Sequence, residues 1–376
     1  MSSDIYILGG SQSDFALNWA REGKGIYEMF EESLREAVDN ADIEPAEIEV
    51  GHVGNFVGEL FARQGLLGGF FGQVYPELAA LPTSRHEAAC ASGSIAIMSA
   101  MRDIEAGHYQ MACVLGLELM RNVDGKTGAE YLGAAAWNGR EATPEDCDFP
   151  WPHMFDRLTE EYDRRYGIKA DHLNSIAEFN FANAKLNPRA QTRKWEFAQG
   201  AFSCNDELNP VIEGRVRKQD CGQITDGAAC VILASESKAK EYAAKHGLAL
   251  GDIPRIKGWG HRSAPILLSR KLEISADAPL VFPHAAQCLQ EAAQRAGFAG
   301  AAQLDGLGTH DCFTMTEYMA IDHAGLTAPG ESWKAIEEGR IAKDGSFPIN
   351  SSGGLIGLGH PVGATGVLMV LDCARQ

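Results

Sequence analysis

The apolar positions along this chain change period several times, and each change predicts an element. Residues 5–8 form a short β-type run closed by Gly9-Gly10, after which Ile26, Tyr27, Phe30, Leu34, Ala37 and Val38 fall three or four apart and mark one face of a helix. Residues 52–57 read as a second strand, 95–101 as an almost wholly apolar helix, and 111–119 as a further strand. The order strand, helix, strand, helix, strand predicts a layered α/β unit with a largely buried sheet.

From about residue 252 the pattern repeats. Residues 253–259 predict a strand, 282–296 an amphipathic helix, 304–309 another strand, and 367–371 a last apolar helix. In this register Ala91-Ser92-Gly93-Ser94 falls opposite Gly363-Ala364-Thr365-Gly366, which predicts an internal duplication. The first apolar helix is followed by a strand, whereas the sequence stops at Cys373-Ala374-Arg375-Gln376, so a longer natural C-terminus is expected.

Between the two repeats the texture differs. Residues 120–219 carry Trp137, Trp151 and Trp195, Pro144, Pro150 and Pro152, and a helical face of Leu173, Ile176, Ala177, Phe181 and Ala184. An insertion of this length predicts a lid or binding region. Asp226-Gly227-Ala228-Ala229-Cys230-Val231-Ile232-Leu233 then resumes a buried strand. The expected division is a first half at 1–119, an inserted loop domain at 120–219, a return to the first half at 220–252, and a second half at 253–376.

Composition narrows the class. With 376 residues and 45% hydrophobic content the chain can bury a large core, and a formal charge of -18 opposes nonspecific binding to nucleic acid or an anionic membrane. Nine cysteines, an odd number without C-x-x-C spacing, predict reduced thiols. The start, Met1-Ser2-Ser3-Asp4-Ile5-Tyr6-Ile7-Leu8, lacks the basic flank and long apolar run of a secretory signal, so a cytoplasmic protein is expected. Lys185, Arg189, Arg193, Lys194, Arg215, Arg217 and Lys218 make the insertion locally basic, enough to meet phosphates or to form a solvated face.

Two glycine-framed segments carry the candidate chemistry. Glu87-Ala88-Ala89-Cys90-Ala91-Ser92-Gly93 leads into one apolar helix, and Gly357-Leu358-Gly359-His360-Pro361-Val362-Gly363-Ala364-Thr365-Gly366 leads into the other. A helix mouth presents unpaired N–H groups and about half a positive charge, which predicts a Cys90 thiol lowered toward neutrality, with His360 as its base. Acyl transfer through a thioester is the chemistry expected. The glycine spacing at 357, 359 and 363 departs from a dinucleotide fingerprint, and no cysteine or histidine pair has the short spacing of a structural zinc site, so no metal is expected. Cys113, Cys230, Cys288 and Cys373 are expected to be inert core residues.

Cys90-Ala91-Ser92-Gly93, Asp226-Gly227-Ala228-Ala229, His310-Asp311-Cys312-Phe313 and Gly359-His360-Pro361-Val362-Gly363-Ala364-Thr365-Gly366 together resemble the fingerprints of the thiolase superfamily, in that family's order. The His-Asp-Cys-Phe form resembles the sterol-carrier-protein type. The resemblance implies an α/β thiolase fold of two similar layered halves with an inserted loop domain, in a homodimer or tetramer. It further implies Cys90 as the nucleophile for a coenzyme A thioester, His360 as its base, His310 in an oxyanion site, and Cys312 as the acid/base at the carbon beside the thioester. In common thiolases that last role falls to a later Cys-x-Gly loop, so a residue of the expected longer C-terminus is the alternative to Cys312. Arg193, Lys194, Arg217, Lys218 and Gly359 are the expected coenzyme A contacts, with no permanently bound cofactor. Two further readings fit the same motifs: a retro-aldolase or acyltransferase working with a small partner protein, and a non-catalytic scaffold beside a synthase.

Overall fold

The computed structural model describes residues 4–137, 140–143 and 147–376; Met1, Ser2 and Ser3 of the predicted start and Pro144 of the predicted insertion lie outside the described residues. Two compact units are present. One comprises Met1–Val123, Ile224–Lys257 and His360–Gln376, and the other Asp124–Gln223 and Gly258–Gly359. The last apolar helix therefore groups with the first repeat, and most of the second repeat groups with the insertion. No described helix is long and apolar enough to cross a membrane.

Eight strands form among the described residues: β1 (Ile5–Gln12), β2 (Val50–Gly54), β3 (Thr83–His86), β4 (Met111–Glu118), β5 (Val211–Glu213), β6 (Val216–Arg217), β7 (Gly227–Ser235) and β8 (Arg255–Ile256). The first unit holds a six-stranded sheet in the order β3-β2-β4-β7-β1-β8. β2 runs parallel to β3 and β4, while β7 runs antiparallel to both β4 and β1. Every residue of β4 and β7 is buried, because helices lie on both faces.

Alternation along β4 sorts its side chains between those faces. Cys113, Leu115 and Leu117 join the core made with Met29, Phe30, Leu34, Ala37 and Val38 of the helix Ile26–Ala41. Each such fully buried aliphatic or phenyl side chain contributes roughly 1.5–3 kcal/mol of transfer free energy. Gly116, on the opposite face, meets Gly363, Ala364 and Val367 at the start of the helix Thr365–Arg375, which packs beside the helix Ser92–Glu105. The two apolar helices foreseen from the sequence thus share one side of one sheet.

The second unit is mostly helical. Its core joins the helices Pro150–Tyr166, Ala170–Ala184 and Thr314–His323 through Leu158, Tyr162, Ile176, Met315, Tyr318 and Met319. The amphipathic segment at 282–296 forms the helix Pro283–Arg295. The strands expected at 253–259 and 304–309 largely fail. Only Arg255–Ile256 pairs in the first, and Leu307 makes an isolated bridge to Ile349 in the second. A ladder needs a neighbouring strand to take its N–H and C=O groups, and the described residues around 304–309 offer one bridge. The strand expected at 52–57 sits at Val50–Gly54 instead, because Asn55 Oδ1 accepts the Gly58 N–H at 3.0 Å and turns the chain.

Candidate active site

The nucleophile candidate sits on a strained elbow. Cys90 lies in the 3₁₀ turn Ala89–Ala91, directly before the helix Ser92–Glu105, and Ala89 adopts φ +49°, a left-handed conformation that costs a non-glycine residue about 1 kcal/mol. Local side chains hold it there. Ser92 Oγ accepts from Ala88 N at 3.0 Å and donates to the Ala89 carbonyl at 2.6 Å, while Ala89 N donates to Glu87 Oε1 at 2.7 Å.

The expected electrostatics of Cys90 are reversed. Although the residue is only half-buried, burial of its sulfur pushes the thiol up to about 12, the backbone N–H of Cys90 itself offsets part of that, and Glu118 adds a smaller rise. Withdrawal from water outweighs the helix mouth, because a half charge at a terminus contributes less than full solvation of a thiolate. An isolated thiolate is therefore disfavoured, and any nucleophilic reaction needs a base at hand to take the proton.

That base is in place within the same unit. A ring nitrogen of His360 lies within 4.8 Å of Cys90 Sγ. His360 Nδ1 is 2.7 Å from Thr365 Oγ1, whose single proton goes to the Pro361 carbonyl at 3.1 Å. Thr365 must then accept from Nδ1–H, which makes Nε2 the basic nitrogen. The backbone is fixed as firmly: His360 N donates to Thr225 Oγ1 at 2.9 Å, and Gly359 enters the turn at φ +123°, ψ 160°, a conformation open to glycine alone.

One buried carboxylate ties these loops together, and sequence reasoning did not single it out. Glu118, at the end of β4, accepts from Asn55 Nδ2 at 3.0 Å, Phe56 N at 2.9 Å, Val57 N at 3.2 Å and Gly363 N at 3.1 Å. The Gly363 carbonyl approaches Gly93 and Gly116 so closely that a Cβ at either would lie 2.9 or 2.5 Å from it. The signal was available as a lone glutamate in the apolar run 111–120, since a charge buried in a strand needs several donors.

His310 and Cys312 lie in the second unit. Burial lowers His310 to about 4, so it is a neutral imidazole at pH 7. The motif is pinned by Asp311, which accepts from Leu355 N at 2.6 Å, Ile356 N at 3.3 Å and Asn180 Nδ2 at 2.9 Å, and by Gly222 N donating to the Cys312 carbonyl at 2.8 Å. Asn180 Nδ2 also donates to Glu317 Oε2 at 2.7 Å, so one amide bridges two buried carboxyl groups. Burial raises Asp311 to about 7 and Glu317 to about 8.

The proposed coenzyme A contacts divide. Lys218 lines a cavity of about 370 Å³ with Phe181, Trp195, Phe197 and Gln223. Arg217 is engaged elsewhere, its Nη1 donating to Asp206 Oδ1 and the Asn209 carbonyl, both at 2.8 Å. Arg193 Nη1 donates to the Ala190 carbonyl at 2.7 Å, Lys194 is exposed, and Gly359 serves the His360 turn. Among the cysteines expected to be inert, Cys113 and Cys230 are buried with sulfurs 3.3 Å apart, whereas Cys288 is half-buried and Cys373 exposed because their helices present those positions outward.

Comparison with known proteins fits this arrangement. Residues 5–198 match the family description "Thiolase, N-terminal domain", and residues 268–376 match "Thiolase C-terminal domain-like". The chain belongs to the thiolase family. An acetyl-CoA acetyltransferase of Methanocaldococcus jannaschii is 30% identical, over 98% of this chain and 88% of that protein. One from Methanothermobacter thermautotrophicus is 28% identical, over 99% and 90%. Among solved structures, human mitochondrial 3-ketoacyl-CoA thiolase superposes with a TM-score of 0.69 at 15% identity, over 99% of this chain and 93% of that one. An Ltp2-ChsH2(DUF35) aldolase gives 0.70 at 18% identity, over 97% and 88%. This thiolase-family chain has the thiolase fold and is an acyltransferase.

Proposed function

We propose that the chain is an acyl-coenzyme A C-acyltransferase that makes or cleaves a carbon–carbon bond by reversible Claisen chemistry through an acyl-Cys90 intermediate. The observation that carries this reading is the approach of His360 to Cys90, with Thr365 holding the histidine in the tautomer a base requires. Cys90 Sγ attacks the thioester carbonyl as its proton passes to His360 Nε2, and the coenzyme A thiolate leaves, taking a proton from the imidazolium. The high thiol pKa favours moving the proton during the attack rather than before it. In condensation, Cys312 as its thiolate takes the proton beside the carbonyl of a second thioester while the neutral His310 imidazole donates to the developing enolate oxygen. The enolate carbon attacks the acyl-Cys90 carbonyl, the carbon–sulfur bond to Cys90 breaks, and the proton gained by Cys312 returns to the Cys90 sulfur through solvent.

The cavity walled by Phe181, Trp195 and Phe197 and edged by Lys218 suits a nucleotide, with an aromatic face for the base and a cation for phosphate. A homodimer or tetramer in the cytoplasm is the expected setting. Incubation with acetyl-coenzyme A followed by peptide mass analysis tests the reading: an acetyl group on the Cys90 peptide, absent in Cys90→Ala, is expected. Turnover by Cys90→Ala at the wild-type rate overturns it.

Retro-aldol cleavage with a small partner protein is the second reading, favoured by the fold-level likeness to the Ltp2-ChsH2(DUF35) aldolase. Products from β-ketoacyl and β-hydroxyacyl thioesters separate the two, since only the aldol reaction releases a carbonyl compound without transferring an acyl group to Cys90.

A further inference from the structure

Glu118 stands at a junction that neither the motif resemblance nor the nucleophile–base pair explains. It is fully buried, and all four of its partners are N–H donors. Three belong to the turn 55–58 after β2. The fourth, Gly363 N, belongs to the loop between His360 and the helix Thr365–Arg375. The other side of the Gly363 peptide lies against Gly93, in the first turn of the helix that follows Cys90. One carboxylate thereby sets how the histidine-bearing loop meets the cysteine-bearing helix.

Its charge also bears on the Cys90 thiol. A group surrounded only by donors is built to be a carboxylate, while burial opposes ionisation and wins in part, raising it to about 7. The charged or titratable groups that bear on it are Arg85 from β3, which favours its ionised form, and Cys90 at the elbow, whose thiol the carboxylate raises. Arg85 is itself clamped by Glu59, through two bonds, and by the Phe56 carbonyl at 3.2 Å.

We propose that Glu118 is a positioning residue for acyl transfer: its carboxylate fixes the His360 loop on the start of the Cys90 helix, and its negative charge opposes the Cys90 thiolate so that sulfur surrenders its proton only as His360 receives it. This rests on the acyltransferase reading for its purpose, although the coupling between Glu118 and Cys90 is measurable without any turnover.

The test is the pH profile of Cys90 alkylation by iodoacetamide, read by peptide mass in wild type, Glu118→Gln and Glu118→Asp. Removing the charge in Glu118→Gln lowers the apparent pKa of Cys90 by about one unit, the usual effect of a nearby like charge. Glu118→Asp keeps the charge and the wild-type midpoint but, one methylene shorter, loses Gly363 and slows acetylation at least tenfold. A folded Glu118→Gln with the wild-type midpoint overturns the proposal, even if turnover is lost, because a merely structural role leaves the midpoint unmoved.

Should Glu118→Gln not fold, wild-type protein carrying ¹³C-labelled glutamate carboxyls decides the matter. After iodoacetate places a negative carboxymethyl group on Cys90, Glu118 titrates at higher pH than after iodoacetamide leaves a neutral adduct. Equal midpoints overturn the coupling. Failure of the acyltransferase reading, by contrast, shows as missing acetyl-Cys90 with both shifts intact.

Discussion

Thr365 Oγ1 stands 2.7 Å from His360 Nδ1 and donates its own proton to the Pro361 carbonyl, so the threonine reads the histidine's tautomer and leaves Nε2 basic. Thr365→Val keeps the shape and removes the acceptor. The imidazole is then free to place its proton on either nitrogen, and Cys90 acetylation by acetyl-coenzyme A is expected to slow roughly 10- to 100-fold, part of the ~10²–10⁴ that a positioned general base supplies. Stopped-flow acylation checks this, and Thr365→Ser is expected to retain most of the rate because it keeps the hydroxyl.

Ala89 at φ +49° makes the elbow sensitive to side-chain branching. Ala89→Gly removes the left-handed cost and adds unfolded-state entropy of similar size, so its stability is expected to lie within about 1 kcal/mol of wild type. Ala89→Val sets a β-branched residue where L side chains are most strained and is expected to lose roughly 1–3 kcal/mol. Denaturant midpoints measure both, and acylation of the valine variant is expected to fall further than its stability alone accounts for.

Much of this site was legible in the sequence. Cys90 and His360 carry motif glycines and small residues whose spacing is visible in one dimension, and the structure brings the two together. The repeat pattern assigns their helices to separate halves, whereas both pack on one sheet. Ala89 gave no sign, because alanine does not advertise a left-handed backbone as glycine or asparagine does. The Cys90 pKa was misjudged for a related reason: the helix mouth is a local feature of sequence, whereas desolvation depends on everything packed around the sulfur. The strand expected at 304–309 failed because a strand is a property of pairs of segments, and only Ile349 pairs with Leu307.

Trp195 and Lys218 border the aromatic cavity, while Arg217 is spent on Asp206 and Asn209. Base stacking contributes about 1–3 kcal/mol by alanine substitution, so Trp195→Ala is expected to raise KM for acetyl-coenzyme A roughly tenfold with kcat little changed. Lys218→Ala is expected to act in the same sense and to lose its effect at high salt. Arg217→Ala is expected to lower the denaturation midpoint without a comparable change in KM. Steady-state kinetics against acetyl-coenzyme A concentration, paired with melts, distinguishes these outcomes.

Asp311 and Glu317 share the amide of Asn180, and burial raises them to about 7 and about 8. The folded state therefore holds protons that the unfolded chain releases near pH 4 to 5. The stability these two groups contribute is fully present below the unfolded carboxyl pKa and declines as pH rises through the folded values, about 7 to 8. Glu317→Gln resembles the protonated carboxyl and still accepts from Asn180 and from Asn350, whose Nδ2 lies 2.7 Å from Glu317 Oε2. Urea midpoints of wild type and variant are expected to agree near pH 5 and to diverge toward pH 9, with the variant the more stable. Parallel curves across that range would show that the two carboxyl groups are ionised in the folded protein throughout, with the Asn180 and Asn350 amides offsetting their repulsion.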